Sequence, residues 1–216
     1  MSSDAHAVTE AAEPQFDYND IVPYDPAAAK MGMWLFLFTE VMLFGALFIA
    51  FAVYLIMYGW EFALGSDRLS VAMGGFNTLV LLTSSMTMAL AIAALQRGQK
   101  DFCIKMLDAT LGFAAVFCVV KAFEWGGKFE TNLYPGTALM ESLSLGEKTF
   151  YSLYFVMTGL HAVHVLIGAG LILWVRKTVK SGRVNKNRMS LIDNVGLYWH
   201  IVDLIWIFLF PLFYLL

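Results

Sequence analysis

Five stretches of this chain are each long and apolar enough to cross a bilayer, and few folds accommodate that. They run over about 31–58, 72–96, 106–126, 149–174 and 194–215. A hydrocarbon core about 30 Å thick needs about 20 apolar residues in a helix. Inside it every backbone N–H and C=O must pair within the chain, which selects helices for segments of this length. The expected fold is therefore all-α: a polytopic membrane protein with five transmembrane helices in one bundle. Of the 216 residues, 59% are hydrophobic and only 14% charged, against about 25% charged in ordinary soluble domains. A net charge of -3 and the lack of a phosphate-binding Lys/Arg cluster argue against a nucleic-acid partner.

No internal repeat or low-complexity tract divides the spans, so residues 30–216 are expected to form one transmembrane domain. Residues 1–29 carry Asp4, Glu10, Glu13, Asp17, Asp20 and Asp25 with no Lys or Arg before Lys30. That is the reverse of a signal peptide's basic start, and it predicts an acidic, solvated tail. The tail and the second and fourth loops hold ten basic residues, whereas the other side has three, Arg68, Lys128 and Lys148. The positive-inside rule then places the amino terminus inside and the carboxyl terminus outside. Trp34, Tyr58, Trp60, Tyr134, Tyr151 and Trp174 fall near span ends, where an interfacial aromatic belt would lie. Ser85, Ala89 and Ala93 recur every fourth residue in the second span, and Gly168 sits among small residues in the fourth. Such faces permit close helix packing. Cys103 and Cys118 make no metal or redox spacing, and a disulfide between them is not expected.

Five ionisable side chains lie deep within the spans: Glu40, His161, His164, His200 and Asp203. A charge at the bilayer centre costs at least about 2.5–3.5 kcal/mol, so such groups face protein and commonly have a task there. From a rise of 1.5 Å per residue, Glu40 and Asp203 each lie about 13 Å from the inner ends of their spans. His161 falls near mid-membrane, with His164 and His200 nearer the inner face. His161 and His164 are three residues apart and share a helix face, as do His200 and Asp203. Three readings stay open for these groups. They are polar glue between helices, proton transfer by groups that desolvation pushes toward neutrality, or ligation of a metal or haem by the three histidines.

Lys121 and Glu124 make another such pair toward the outer end of the third span. A snorkelling, self-neutralising pair at the lipid boundary explains them; a lipid-headgroup or partner contact is the functional alternative. The chain holds no nucleophile elbow, phosphate loop, zinc helix or dinucleotide fingerprint, so no catalytic residue is assigned.

The same spans carry longer motifs. They are FTEVMLFGALFIAF around Glu40, NTLVLLTSSMT in the second span and KAFEWGGKF with Glu124 in the third. YFVMTGLHAVHVLIG follows with His161 and His164, then YWHIVDLIWIFLFPLFYL with His200, Asp203 and Trp206. On these residues, from about Gly32 to Leu216, the chain resembles subunit III of the haem–copper oxidases. Ala162 stands where that family often has Gly, and Trp125 where it often has Tyr. Five spans rather than seven match the short form, which lacks the first two helices and with them one wall of a lipid-holding cleft.

The resemblance implies a non-catalytic core subunit, with haem and copper held in partner subunits and none by this chain. Its partners would be oxidase subunit I laterally, subunit II and other respiratory subunits, and phospholipid. It would sustain proton uptake during oxygen reduction coupled to proton pumping, in a bacterial cytoplasmic (inner) membrane. Glu40, His161, His164, His200 and Asp203 would support that uptake, while Lys121, Glu124 and Trp206 would touch lipid or partner. Alternatives are a similar accessory of a nitric oxide reductase, a small proton-coupled transporter, or a membrane cytochrome ligating haem through its histidines.

Overall fold

The computed structural model describes residues 26–184 and 189–216. The acidic residues of the expected tail up to Asp25, and Lys186 and Arg188 of the basic fourth loop, lie outside those residues. Residues 26–29, assigned to the tail from sequence, instead open the first helix.

The described residues form seven helices in order: α1 (Pro26–Met57), α2 (Gly59–Asp67), α3 (Val71–Gln96), α4 (Lys100–Glu130), α5 (Ala138–Ser142), α6 (Leu145–Lys180) and α7 (Ser190–Tyr214). Five of them, α1, α3, α4, α6 and α7, are long and apolar enough to cross a membrane. All five expected spans are present, and most run several residues past the apolar stretch. Polar residues at the membrane surface keep helical hydrogen bonding, so helices outlast their hydrophobic segments.

Short polar residues set several helix starts. Ser70, Thr137 and Ser144 accept from the amides of Met73, Met140 and Glu147 at the first turns of α3, α5 and α6. Ser144 and Glu147 have the S-x-x-E spacing of a capping box, and the Ser144 hydroxyl also donates to the Glu147 carboxylate at 3.4 Å. Pro26 opens α1, where its missing N–H is not needed.

α7 is the bundle's axis. Half of the residues in its most apolar stretch are buried, against 11% in α1. α3 packs along α4 and α7, and α6 fills the angle between α4 and α7. α1 leans on α6 and α7 from one side and leaves Trp34, Phe38, Met42, Ile49, Val53 and Ile56 exposed. The helix α2, not foreseen from the sequence, folds over one end of the bundle. Its Phe62 is fully buried edge-on to Phe51 of α1 (5.2 Å) and Phe150 of α6 (5.4 Å). Phe213 of α7 completes this cluster, 4.9 Å from Phe51 and 5.6 Å from Phe150. Ser66 at the end of α2 donates to the carbonyl of Phe213 at 2.8 Å, pairing an acceptor in the last turn of α7.

Two packing expectations shift. The buried stripe of α3 runs through Ser84, Met88, Ala91 and Ala94, whereas Ala89 is exposed. Of the three residues of the expected repeat, Ser85 and Ala93 are half-buried and Ser85 meets α7 through His200, so only Ala89 turns away from the packed face. Tyr151 is fully buried rather than part of an aromatic belt, while Trp34, Trp60 and Trp174 are exposed as a belt requires.

Gly168 of α6 lies close against α7: a Cβ there would lie 2.8 Å from the Trp199 ring and 3.2 Å from that of Tyr198. Both rings are buried and have nowhere to retreat. Gly168→Val is expected to cost about 1–3 kcal/mol through forced repacking. Thermal unfolding of the detergent-solubilised protein measures this, with Gly170→Val, where a Cβ meets nothing, as the neutral control.

Candidate functional site

The interior polar side chains sort into three clusters, each positioned by helices that approach through small or aromatic residues.

The first joins α1 to α6. His164 Nε2 lies 2.8 Å from Glu40 Oε2, and His164 Nδ1 lies 2.7 Å from the carbonyl oxygen of Leu160, one turn earlier. A carbonyl only accepts, so Nδ1 carries a hydrogen and donates it. With Nδ1 so occupied, the Glu40–His164 contact needs one proton between the two groups. Either a protonated Glu40 donates to a neutral imidazole, or the imidazolium donates to the carboxylate. The pair is therefore neutral in sum and holds one transferable proton. Phe44, one turn beyond Glu40, packs edge-on against the His164 ring at 5.4 Å and screens it from lipid.

The second cluster joins α3 to α7. His200 Nδ1 and Ser85 Oγ share a hydrogen bond of 2.6 Å. Ser84 and Thr78 each donate to a carbonyl of their own helix and accept from an indole of α7. Trp199 Nε1 reaches Ser84 Oγ and Trp206 Nε1 reaches Thr78 Oγ1, both at 3.1 Å. Sequence reasoning saw the hydroxyl residues of this span only as a packing face. Indole donors seven residues apart on the neighbouring span were the signal that they also act as acceptors. Asp203 is buried close by, beside the hydroxyls of Ser84 and Ser85, which make their own hydrogen bonds to Leu81 and His200. His200 pairs with Ser85 rather than with Asp203, its neighbour on the shared face.

The third cluster was read as a boundary pair and lies inside the bundle. Lys121 Nζ donates to Glu124 Oε2 at 2.9 Å and to the hydroxyls of Tyr154 and Tyr214 at 3.1 Å each. Both hydroxyls in turn donate to Glu124 Oε1, at 2.8 and 2.6 Å. Each phenol thus accepts from the ammonium and donates to the carboxylate. Trp206, 5.2 Å from the ammonium, adds a cation–π contact. Lys121, Glu124 and Trp206 were expected to touch lipid or a partner; all three are buried against this chain's own α4, α6 and α7. The reason is orientation: both side chains lie on the face of α4 that packs against α6 and α7, where the Tyr154 and Tyr214 hydroxyls meet them. Tyr154 and Tyr214 were missed, although a phenol inside a span always raises the question of where its hydroxyl goes.

His161 stands between the second and third clusters. It is fully buried, 5.6 Å from Phe117 and 5.2 Å from Trp206, with no hydrogen-bond partner among the described residues. The three membrane histidines therefore face three different neighbourhoods. Among the described residues, no three His, Cys, Asp or Glu side chains come together as metal ligands.

The sequence that builds these clusters matches a known family. The model of the family described as cytochrome c oxidase subunit III fits residues 23–216. The chain belongs to this family. It is 30% identical to cytochrome c oxidase subunit 3 of Thermostichus vulcanus, covering 88% of this chain and 89% of that one. It is also 30% identical to quinol oxidase subunit 3 of Bacillus spizizenii, covering 86% of each. A haem–copper oxidase subunit I+III of Aeropyrum pernix is 29% identical over 94% of this chain, which spans only 24% of that relative. As a member of the subunit III family with five spanning helices, the chain is an integral membrane protein.

The third cluster yields a prediction. Glu124→Ala leaves Lys121 buried without its counter-charge and is expected to cost about 3–5 kcal/mol. Tyr214→Phe removes one hydroxyl of the set and is expected to cost about 1–3 kcal/mol. Thermal melts of the two variants, side by side with the parent, check both the sizes and their order.

Proposed function

We propose that this chain is a non-catalytic subunit of a haem–copper terminal oxidase, seated beside the catalytic subunit, where it sustains proton uptake and holds phospholipid. The Glu40–His164 pair carries this reading. It holds one proton at 2.8 Å between two groups, and it does so on α1, the helix that the rest of the bundle covers least. Both side chains keep a little exposure, 14% for Glu40 and 10% for His164, so the proton is within reach of groups outside this chain. With the amino terminus inside, as the basic loops favour, the pair lies in the half of the membrane from which protons enter.

A lateral seat against subunit I agrees with the exposed apolar face of α1 and with the relative in which subunits I and III carry one name. Haem and copper belong to the partners in this reading. Oxygen reduction coupled to proton pumping is their chemistry, in a bacterial inner membrane. His161, His164 and His200 are each surrounded by aromatic rings, a carboxylate or a serine, which supports packing and proton roles over ligation. Relatives named as cytochrome c oxidase and as quinol oxidase subunits agree equally with this role, and the electron donor is a property of the partners.

Two experiments test the reading. Purification through a tag on this chain is expected to bring down a coloured haem–copper complex; a lone colourless protein rejects the assignment. Glu40→Gln is expected to leave assembly intact while shortening the active lifetime of the oxidase or slowing its proton uptake in stopped-flow measurements. Unchanged kinetics and lifetime reduce the pair to a packing contact.

A further inference from the structure

At the end of the bundle where α1 begins, the starts of α1, α4 and α7 meet the ends of α3 and α6. The charged residues there are Lys30, Arg97, Lys100, Lys105, Arg176, Lys177, Lys180 and Arg183, against Asp101, Asp108 and Asp193. Two of the three carboxylates are engaged locally. Arg176 pairs with Asp108, one of its two contacts measuring 3.1 Å. Asp193 feels the charge of Lys30, where the Asn194 amide holds the start of α7 to the carbonyl of Ala29 at 3.4 Å. Arg97, Lys100, Lys105, Lys177, Lys180 and Arg183 remain, with Asp101 alone among them. None of these six makes an ion pair among the described residues.

The fold itself gathers these cations. Lys100 Nζ donates to the carbonyl of Lys180 at 2.9 Å, which ties the first turn of α4 to the last turn of α6. Beside this contact an open groove of 510 Å³ follows the α3–α4 turn, lined by Lys100, Asp101, Phe102 and Lys105. The Phe102 ring is 44% exposed. Cations brought together repel, and an anionic partner laid among them relieves that repulsion. Lys177 and Lys180 have the negative end of the α6 dipole beside them, whereas Lys100 stands at the positive end of α4. The face also rises above the lipid. Lys180 lies six residues past Trp174, about 9 Å along the helix, and a headgroup layer is only about 5–7 Å thick.

We propose that the acidic segment ahead of α1 in this same chain docks on this basic face. Residues 1–25 carry six carboxylates and no Lys or Arg, as many anions as there are cations left over. The run FDYNDIVPYD, residues 16–25, intersperses its acids with Phe16, Tyr18 and Tyr24. That pattern suits a groove that offers two ammonium groups and an exposed aromatic ring. The segment is attached at the right place, since Pro26 opens α1 at this end of the bundle. α1 packs on α6 and α6 on α4, two steps of about 8–10 Å each. Ten extended residues span about 33 Å, enough to pass the end of α6 and reach the groove. Tethering gives the segment an effective concentration of about millimolar, so ion pairs that are individually weak hold it. The docked segment is a cover that salt lifts. It shares its end of the bundle with the basic face whichever way round the chain crosses the membrane, and it does not depend on the proton-handling reading.

The test uses the native complex, captured through a tag at the carboxyl terminus so that residues 1–25 keep their sequence. A Glu-specific protease, cutting after Glu10 and Glu13, reports the undocked fraction, with a synthetic peptide of residues 1–25 as the undocked reference. At low salt the chain is expected to be cut about tenfold more slowly than the peptide, and at about 0.5 M salt equally fast. Lys177→Gln combined with Lys180→Gln, both at exposed positions, is expected to raise the low-salt rate about fivefold, the loss of two surface ion pairs. Carbodiimide coupling at low salt, read by mass spectrometry, is expected to join carboxylates of residues 1–25 to Lys100, Lys105, Lys177 or Lys180. Low-salt cleavage at the peptide's rate overturns the proposal, as does protection that the double variant leaves unchanged. Coupling to amines of another subunit or of a lipid in place of these lysines also overturns it and assigns the segment to that partner.

Discussion

Hydrocarbon offers no water to a buried polar group, and the Lys121–Glu124 pair shows how the bundle answers that constraint. An ion pair removed from water repays its desolvation only when further hydrogen bonds take up the remaining donors and acceptors. Tyr154 and Tyr214 supply those bonds from two other helices, so the pair makes three helices mutually dependent. α7 holds its place by the same logic elsewhere: Trp199 and Trp206 donate to hydroxyls of α3, and Tyr198 donates to the backbone of α6 at 3.2 Å. Lipid tails are as apolar as leucine, so hydrophobic burial alone cannot choose one helix arrangement over another. The tyrosine, tryptophan and serine contacts choose it.

The five spans were legible in the sequence because length and hydropathy report directly on what a bilayer accepts. The interior carboxylates and histidines were legible for the same reason, since a charge inside an apolar run stands out. Less legible was which helix each would face. His161 and His164 are three residues apart, yet one meets Phe117 and Trp206 while the other meets Glu40. A 60° difference around a helix is enough to separate two interfaces, and spacing within one segment carries no information about its neighbours. The surroundings of Lys121 were misjudged because an i,i+3 pair does not say whether its face of the helix meets lipid or, as here, the tyrosines of two neighbouring helices. α2 escaped notice because nine residues with Glu61, Gly65, Ser66 and Asp67 have no clear period; its Phe62 earns a place only through Phe51, Phe150 and Phe213, which are distant in sequence.

The Glu40–His164 pair differs from the other two clusters in kind. Lys121–Glu124 is enclosed by aromatic rings and fully engaged, as a structural contact requires. Glu40 and His164 sit on the thinly covered side of the bundle, and a carbonyl fixes the imidazole so that one nitrogen is free to exchange a proton with the carboxyl. Stability would be served equally by two apolar residues of similar volume at these positions. A proton shared near an exposed apolar face is useful only when a neighbour stands against that face, and this is where the family assignment and the local chemistry agree.

The interior network also constrains biogenesis. Lys121 and Glu124 lie 30 or more residues ahead of Tyr154, and Glu124 lies 90 ahead of Tyr214. During synthesis the charged pair reaches the lipid first and waits there with only itself for company. The third span is therefore the step at which insertion machinery or a chaperone has the most to shield, until the last helix arrives and closes the lock.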